Sequence, residues 1–273
     1  MKSPLDLFIC PVCNKGLVSN VSGMNCPDGH HFDKAKEGYL NLLGVSKKNS
    51  LSPGDSKSAV KARFEFLNAG FYQPIVEELN KHILAYSECT SPVILDAGCG
   101  EGYYLHHLKL MDQKRHCVGL DISKEAIKVG AKNRKNCQWI VASANSPPIK
   151  PCSVDIAIFC FSPYFEPCLE LIKPGGIIIF INGGPKHLTE MRQKIYNDNR
   201  IHHFRPKVSG RASLVKEATH QYLIALNSPE QRQNLINMTP HQFRSTKEAQ
   251  RKFVDSSCPV LNIDTLSFVY RKE

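Results

Sequence analysis

The residues best suited to chemistry lie in one short stretch, where an acid is followed by three glycines at alternate positions. Residues 93–95 form a short apolar run typical of a buried strand, Asp96 ends it, and Gly98, Gly100 and Gly102 follow. Glycines let the backbone turn tightly and approach a ligand because no Cβ intervenes. A loop of this kind between a strand and a helix suits a nucleotide-like ligand at the carboxyl end of a parallel sheet.

A second acid follows at a distance that suits the same ligand. Residues 116–121 read as another strand, which ends in Asp121, 19 residues after Gly102. A carboxylate there can accept hydrogen bonds from both hydroxyls of a ribose. Ser123 is placed to N-cap the next helix. The alternatives are a tight turn without a ligand and an incidental acid, but the two features together favour the ligand.

The spacing of the acid and the glycines resembles the first motif of class I S-adenosylmethionine (SAM) methyltransferases. No Gly-Lys-Ser/Thr follows the glycines, which argues against a P-loop. The α/β alternation continues with strands over 139–143, 154–161 and 177–181. We therefore predict an α/β, Rossmann-like class I methyltransferase fold with a mostly parallel seven-stranded sheet.

The ends of the later strands supply further candidates for the ligand site. Ala142 and Ser143 are small enough to admit an adenine ring. Pro163 and Tyr164 follow the strand at 154–161, near the predicted switch point of the sheet, where Tyr164 could stack on a base. The segment resembles the Asn/Asp-Pro-Pro-Tyr motif of amino-group methyltransferases. Because one proline and the amide or acid are missing here, we do not assign the chemistry of that motif to this segment.

Four potential metal ligands lie within the first 30 residues. Cys10 and Cys13 form a Cys-x-x-Cys pair, and Cys26 and His30 follow. Thiolates and an imidazole at these spacings suit tetrahedral Zn²⁺, and four protein ligands indicate a structural site. A unit this short cannot bury enough apolar surface unaided. His31 is the rival to His30, and a chance cluster in a Cys-rich chain is the alternative.

The composition is that of an ordinary globular protein of 273 residues, with 42% hydrophobic and 22% charged residues. No apolar run reaches the ~20 residues that a bilayer span requires. The N-terminus lacks the pattern of a signal peptide. We therefore expect a cytoplasmic protein without membrane contact, whose 11 cysteines are thiols or metal ligands rather than disulfides.

The net charge of +10 is concentrated toward the C-terminal end. Residues 182–273 carry 15 Lys/Arg against 8 Asp/Glu, and the segment 186–216 alone carries eight basic and two acidic residues. His187, His202 and His203 lie in the same segment. Such an excess suits a polyanionic partner, although a solvated basic surface is the alternative.

The chain divides into three predicted parts: a zinc-binding ribbon over 1–45, a linker over 46–56 and a methyltransferase domain over 57–273. The linker is polar and contains Lys47, Lys48, Pro53 and Gly54. The segment 32–43 beside the ribbon combines aromatic residues with lysines. They suit either contacts with unpaired bases and phosphates or the small core of the ribbon.

Taken together, the chain resembles the bacterial 23S rRNA (guanine-N1)-methyltransferases, which carry a zinc ribbon on a class I methyltransferase domain. The resemblance runs nearly end to end, through the zinc ligands, the glycine loop and several shorter motifs. Those motifs are Ala35-Lys36-Glu37-Gly38-Tyr39, Pro53-Gly54-Asp55-Ser56, Ala69-Gly70-x-Tyr72-Gln73-Pro74, Gly119-Leu120-Asp121, Gly184-Pro185-x-His187-Leu188 and Met238-Thr239-Pro240.

The resemblance implies methylation of guanine N1 in a hairpin of 23S rRNA, with SAM as cosubstrate, one structural zinc ion and a homodimeric enzyme. It implies that Tyr72, His187 and the loop at 98–102, which includes Glu101, contact SAM. Asp96 is expected to orient that loop or to meet the amine of the SAM methionine. The resemblance identifies no catalytic residue.

Two other functions compete with this interpretation. One is methylation of a small metabolite, against which the basic C-terminal segment and the ribbon argue. The other is RNA binding by a protein with an inert methyltransferase fold, against which the intact glycine loop and Asp121 argue. We hypothesise that the ribbon and the segment 186–216 together grip RNA, through Lys186, Arg192, Lys194 and Arg205.

Overall fold

The structure, a computed structural model, describes residues 4–44, 54–196, 204–257 and 259–273. Its strands are β1 (Val18–Ser19), β2 (Gly23–Asn25), β3 (His31–Asp33), β4 (Leu40–Asn41), β5 (Val93–Ala97), β6 (His116–Asp121), β7 (Gln138–Val141), β8 (Val154–Cys160), β9 (Ile172–Gly183), β10 (Ala212–Ala225) and β11 (Val260–Lys272). Its helices are α1 (Lys57–Asn68), α2 (Gln73–Tyr86), α3 (Tyr103–Met111), α4 (Lys124–Asn133), α5 (Thr189–Tyr196), α6 (Pro229–Asn237), α7 (His241–Arg244) and α8 (Lys247–Val254). Segments Pro4–Leu7 and Glu166–Leu171 form 3-10 helices.

An eight-stranded sheet with the order β10-β11-β9-β8-β5-β6-β7-β4 forms the centre of the molecule. The strands from β4 to β9 run parallel to their neighbours, whereas β11 and β10 are antiparallel. A separate three-stranded antiparallel sheet, β1-β2-β3, lies in the N-terminal unit. The Rossmann-like class I fold predicted from the sequence is confirmed, with the antiparallel pair at one edge.

The two faces of the large sheet are covered by different parts of the chain. One apolar core joins the sheet to buried residues of the long helices, such as Phe66 of α1 and Leu79 of α2. The other joins it to the N-terminal unit and the 3-10 helix Glu166–Leu171. Parallel strands are stable when both faces are buried. The N-terminal residues that cover this second face are Leu7, Phe8, Cys10, Leu17, Met24, Cys26, Leu40 and Leu42.

The N-terminal unit also adds a strand to the sheet. Leu40 of β4 pairs with Ile140 of β7 in a parallel arrangement, and Phe8 forms a β-bridge with Ile149. The seven predicted strands are therefore joined by an eighth, which the ribbon contributes. Most of the linker at 46–56, including Pro53, lies outside the described residues, so the boundary at 45/46 stays a prediction.

The loop after β5 depends on a close fit between a glycine and a tryptophan. Gly102 has φ +78°, and a Cβ built on it would lie 1.9 Å from the ring of Trp139. The Trp139 indole in turn donates to the Arg134 carbonyl (2.9 Å) and is almost fully buried. The third glycine of the motif is thus required by packing of the loop onto β7 and by its left-handed backbone.

We expect Gly102→Ala to destabilise the fold by about 2–5 kcal/mol, since a left-handed backbone and overpacking against a ring both contribute. Urea-unfolding midpoints measure this. Gly70→Ala is the matched control, because Gly70 also has positive φ (+86°) but a Cβ there meets nothing within 4 Å. Equal losses of stability in the two variants would contradict the role given to Trp139.

Candidate functional site

A cavity of about 720 Å³ opens at the carboxyl ends of the central strands. It lies where β5 has β6 on one side and β8 on the other, which is the switch point of the sheet. Ligands of open α/β sheets bind in crevices at this position. Eight of the residues predicted from the sequence line it: Tyr72, Asp96, Gly98, Gly100, Glu101, Asp121, Ser143 and His187.

The glycine loop brings the backbone into this cavity. Gly98 and Gly100 have φ of +84° and +56°. A Cβ on Gly98 would lie 2.9 Å from Cβ of Ser162, and one on Gly100 would lie 3.2 Å from Nη1 of Arg63. The amides of Gly98 and Cys99 donate to the Leu120 carbonyl (2.8 and 3.1 Å), which ties the loop to β6.

Asp121 connects the glycine loop to the following helix. Its two carboxylate oxygens accept from the amides of Gly100 (2.8 Å) and Ser123 (2.7 Å). Burial raises the pKa of Asp121, and the two backbone donors oppose that shift. The Ser123 hydroxyl accepts from the Ala126 amide, so the predicted N-cap is confirmed. Asp121 thus faces the cavity from the end of β6 with a fixed orientation.

Asp96 of β5 is a buried carboxylate. It is 1% exposed, and neither carboxylate oxygen has a partner among the described residues. Burial, together with the nearby charges of Asp121 and Glu101, raises the pKa of Asp96 to about 8. Leaving a buried carboxylate unpaired is costly. A ligand group that is cationic or donates a hydrogen bond would relieve this cost.

Glu101 has a partner within the protein. Its carboxylate lies 3.3 Å from Nη2 of Arg134, and Nε of Arg134 donates to the Glu101 carbonyl (3.0 Å). Burial raises the pKa of Glu101, while Arg134 and Arg63 lower it. The ion pair anchors the loop to the residue that caps the C-terminus of α4. Glu101 lines the cavity, but its carboxylate is already engaged.

Aromatic side chains form the opposite wall of the cavity. Tyr72 is buried, and its hydroxyl lies 3.5 Å from Nε2 of His187. Burial raises the pKa of Tyr72 and lowers that of His187 to about 4, so this imidazole is neutral at physiological pH. The Phe161 ring stacks on Tyr72 at 5.7 Å and 30°. Phe161 has φ +52°, a conformation that costs a bulky residue of order 1–3 kcal/mol.

Two residues that shape the cavity carry no sequence signal. Asp264 of β11 is fully buried, and its Oδ2 accepts from the Lys186 amide (2.7 Å), which fixes the loop that carries His187. Arg63 of α1 lies beside Gly100 and forms an ion pair with Asp55 (2.6 Å). Both act across long sequence separations, so neither spacing nor a local motif indicates them.

Three sequence predictions change in the structure. Gly102 does not line the cavity but supports the loop through Trp139, and Ala142 is buried below the cavity with its amide bound to the Asp121 carbonyl (3.0 Å). The expectation that Tyr164 stacks on a base is wrong. Its ring packs edge-on against Phe159 and Phe180, at 5.4 Å from each, and does not line the cavity.

Several basic side chains of the segment 186–216 are also less accessible to a polyanionic partner than the sequence suggests. Arg192 is only 8% exposed on α5, so it cannot meet a phosphate at the surface. Arg205 forms an ion pair with Glu217 (3.7 Å), and Arg211 pairs with Glu166 (3.7 Å) and Glu170. His202 and His203 lie outside the described residues.

The N-terminal unit gathers the four predicted zinc ligands. The ligand atoms of Cys10, Cys13, Cys26 and His30 all lie within 4.8 Å of one another. Nδ1 of His30 is 3.3 Å from Sγ of Cys26. His31 instead faces Asp33, with Nε2 3.0 Å from a carboxylate oxygen. The donor set and its convergence fit a structural zinc ion held by His30 rather than by its neighbour.

Comparison with known proteins matches both parts of the chain. Residues 8–51 match a zinc-ribbon family described as "RlmA, N-terminal", and residues 91–237 match the family "Methyltransferase domain". The chain is 30% identical over 211 residues to a putative 23S rRNA (guanine-N1)-methyltransferase, YxjB of Bacillus subtilis, covering 73% of each chain. It is 28% identical to the 23S rRNA (guanine(748)-N1)-methyltransferase of Streptomyces fradiae, covering 70% of this chain and 68% of that one.

A methyltransferase of another kind also matches. The ubiquinone/menaquinone biosynthesis C-methyltransferase UbiE of Wigglesworthia glossinidia brevipalpis is 30% identical over 182 residues, which cover 60% of this chain and 72% of that one. The ribbon at 8–51 decides between the two groups of relatives. The chain belongs to the 23S rRNA (guanine-N1)-methyltransferase family.

Members of this methyltransferase family use SAM, and the cavity fits that cofactor. SAM carries an ammonium group, which suits the unpartnered Asp96 carboxylate, and two ribose hydroxyls, which suit Asp121. Gly98 and Gly100 line the cavity and carry no Cβ, so a ligand can approach their backbone closely.

The structure also bears on membrane contact. Among the helices that it describes, none is both long and apolar enough to cross a bilayer.

The zinc site generates a prediction that distinguishes adjacent histidines. We expect one zinc ion per chain, and we expect His30→Ala to lose it because the coordination shell then opens. His31→Ala should keep its zinc, since that side chain faces Asp33. Metal analysis of the purified proteins measures both. Loss of zinc from the His31 variant alone would contradict the assignment.

Asp96 generates a prediction about stability and pH. Because the pKa of Asp96 is about 8 in the fold and ~3.9 in an unfolded chain, this group lowers stability as pH rises from ~4 to ~8. We expect Asp96→Asn to stabilise the SAM-free protein by roughly 2–4 kcal/mol at pH 8 and much less at pH 5. Urea unfolding at the two pH values measures it. A gain that is the same at both would contradict the raised pKa.

Proposed function

We propose that the protein transfers the methyl group of SAM to N1 of a guanine in a hairpin of 23S rRNA, which gives 1-methylguanosine. The observation that carries this proposal is that one chain joins the zinc ribbon of this rRNA methyltransferase family to a domain whose cavity fits SAM. Relatives that match over about 70% of the chain are named for the same reaction.

The cofactor half of the cavity lies over β5, β6 and β7. In our proposal, Asp96 meets the ammonium of SAM and Asp121 accepts from the ribose hydroxyls. Ser143, which follows β7, borders the adenine. The glycine loop, including Glu101, passes beside the ligand.

Tyr72 and His187 close the site from the opposite wall. The Tyr72 hydroxyl and Nε2 of His187 are already 3.5 Å apart there.

Catalysis then consists mainly of positioning, since the sulfonium of SAM already activates the methyl group. Guanine N1 forms a bond to the methyl carbon in line with the breaking carbon–sulfur bond, and the electron pair of that bond stays on sulfur. The proton that neutral guanine holds on N1 is released to water. A base in a hairpin has to leave its stack before N1 can reach the methyl carbon.

We further propose that the ribbon and the basic segment hold the hairpin, and that the enzyme is a homodimer, as the family resemblance implies. A second cleft lies between the ribbon and the methyltransferase domain, and Lys34, Lys36 and Lys135 line it. With Arg192 buried, Lys186, Lys194 and Arg205 are the remaining candidates of the basic segment. Alanine at these three positions should weaken RNA binding and reduce its dependence on salt.

The direct test uses large-subunit rRNA from a strain that lacks this gene. The purified protein is incubated with the rRNA and labelled SAM, and the digested nucleosides are identified. We expect one 1-methylguanosine per rRNA, and primer extension then locates it in a hairpin. Heat-denatured protein is the control. A protein that binds SAM but labels no rRNA would contradict the proposal and favour a small-metabolite substrate.

A further inference from the structure

Phe161 is an exposed aromatic ring inside the cavity. It directly follows β8 at the carboxyl edge of the sheet and lines the cavity. It is 37% exposed, whereas Tyr72, on which it stacks, is 3% exposed. The ring therefore has a supported side and a side open to a ligand. Flat aromatic rings of this kind are platforms for nucleobases.

The backbone holds this ring in place at a conformation that a phenylalanine rarely adopts. Phe161 has φ +52°, and its amide donates to the Ile181 carbonyl of β9 (2.8 Å). The His187 ring lies 5.5 Å away at 37° and supports it from a second direction. A fixed aromatic platform results, whereas the partly buried Tyr164 ring packs against the apolar core outside the cavity.

Asn182 supplies a polar group next to this platform. It follows Ile181 on β9, lines the same cavity, and its side-chain nitrogen is buried without a hydrogen-bond partner among the described residues. A buried donor without an acceptor costs free energy, so its presence in a cavity indicates a ligand acceptor. The cofactor half of the cavity, over β5 to β7, leaves this donor unused.

We propose that Phe161 and Asn182 form the subsite for the acceptor guanine. The inference rests on the proposed function and adds the residues that hold the base. Phe161 stacks on the purine, and the Asn182 amide donates to guanine O6. Loss of the N1 proton places negative charge on O6, so a donor there stabilises the form of the base that attacks the methyl carbon.

The platform is tested with three variants assayed on the same rRNA. Phe161→Leu should lower kcat/KM for rRNA at least about tenfold, because base–aromatic stacking is lost. Phe161→Tyr should retain it, and both should bind SAM with the affinity of the wild type. Phe243→Leu is the comparison variant. Phe243 also lines the cavity, but it lies on α7 and is 81% exposed, so its replacement should impair the reaction less than Phe161→Leu does.

The donor is tested by the pH dependence of the reaction. Asn182→Asp removes the donor at nearly constant shape and should lower kcat about tenfold or more. It should also move the rise of kcat with pH to more alkaline values, because N1 is then harder to deprotonate. A purely structural role would lower kcat without moving that profile.

The outcomes separate this inference from the function on which it rests. If the wild type labels no rRNA, the proposed function fails and the subsite falls with it. If the wild type forms 1-methylguanosine but Phe161→Leu equals Phe161→Tyr, or Phe243→Leu alone is impaired, the function stands and the platform is overturned. An unmoved pH profile for Asn182→Asp overturns the role of the amide.

Discussion

The constraint on which this structure depends is that a parallel sheet has to be buried on both faces. The long helices cover one face, and the zinc-binding unit covers much of the other. The Leu42 amide also donates to the Val141 carbonyl at 2.9 Å, so the unit is hydrogen-bonded to the strand that leads to Ser143. The metal site and the cofactor site are therefore parts of one hydrogen-bonded framework, although their ligands are far apart in sequence.

The same framework brings several acidic side chains together around the glycine loop. Three acids, Asp96, Glu101 and Asp121, are gathered at the carboxyl ends of β5 and β6. Arg134 compensates one of them, and two backbone amides compensate another. Asp96 has no hydrogen-bond partner in the part of the chain that the structure describes. The fold thus buries an acid whose charged form is disfavoured, with a pKa raised to about 8, at a place where a cationic ligand would stabilise that charged form. Active sites often sacrifice some stability for binding in this way.

Much of this could be predicted from the sequence, because the signals are local. The Asp-x-Gly-x-Gly-x-Gly spacing, Asp121 at the next strand end and the Cys-x-x-Cys pair each lie within a short segment. Of the aromatic wall, Tyr72 and His187 are expected from the family resemblance, but Phe161 could not be predicted. Tyr164 follows a familiar pattern, yet its ring fills an apolar gap beside Phe159, and nothing local shows that Phe161 adopts a positive φ. Asp264 and Arg63 likewise reach the site only through tertiary contacts.

The short strand β4 has a consequence for the behaviour of the protein when metal is scarce. β4 occupies the outer side of β7, which would otherwise be an edge strand with unpaired backbone groups. We expect a chain that cannot close its metal site to lose the order of the ribbon that carries β4, and thereby to expose the edge of β7 to pairing with other chains. Removal of zinc by a chelator should therefore lead to self-association before the rest of the sheet unfolds.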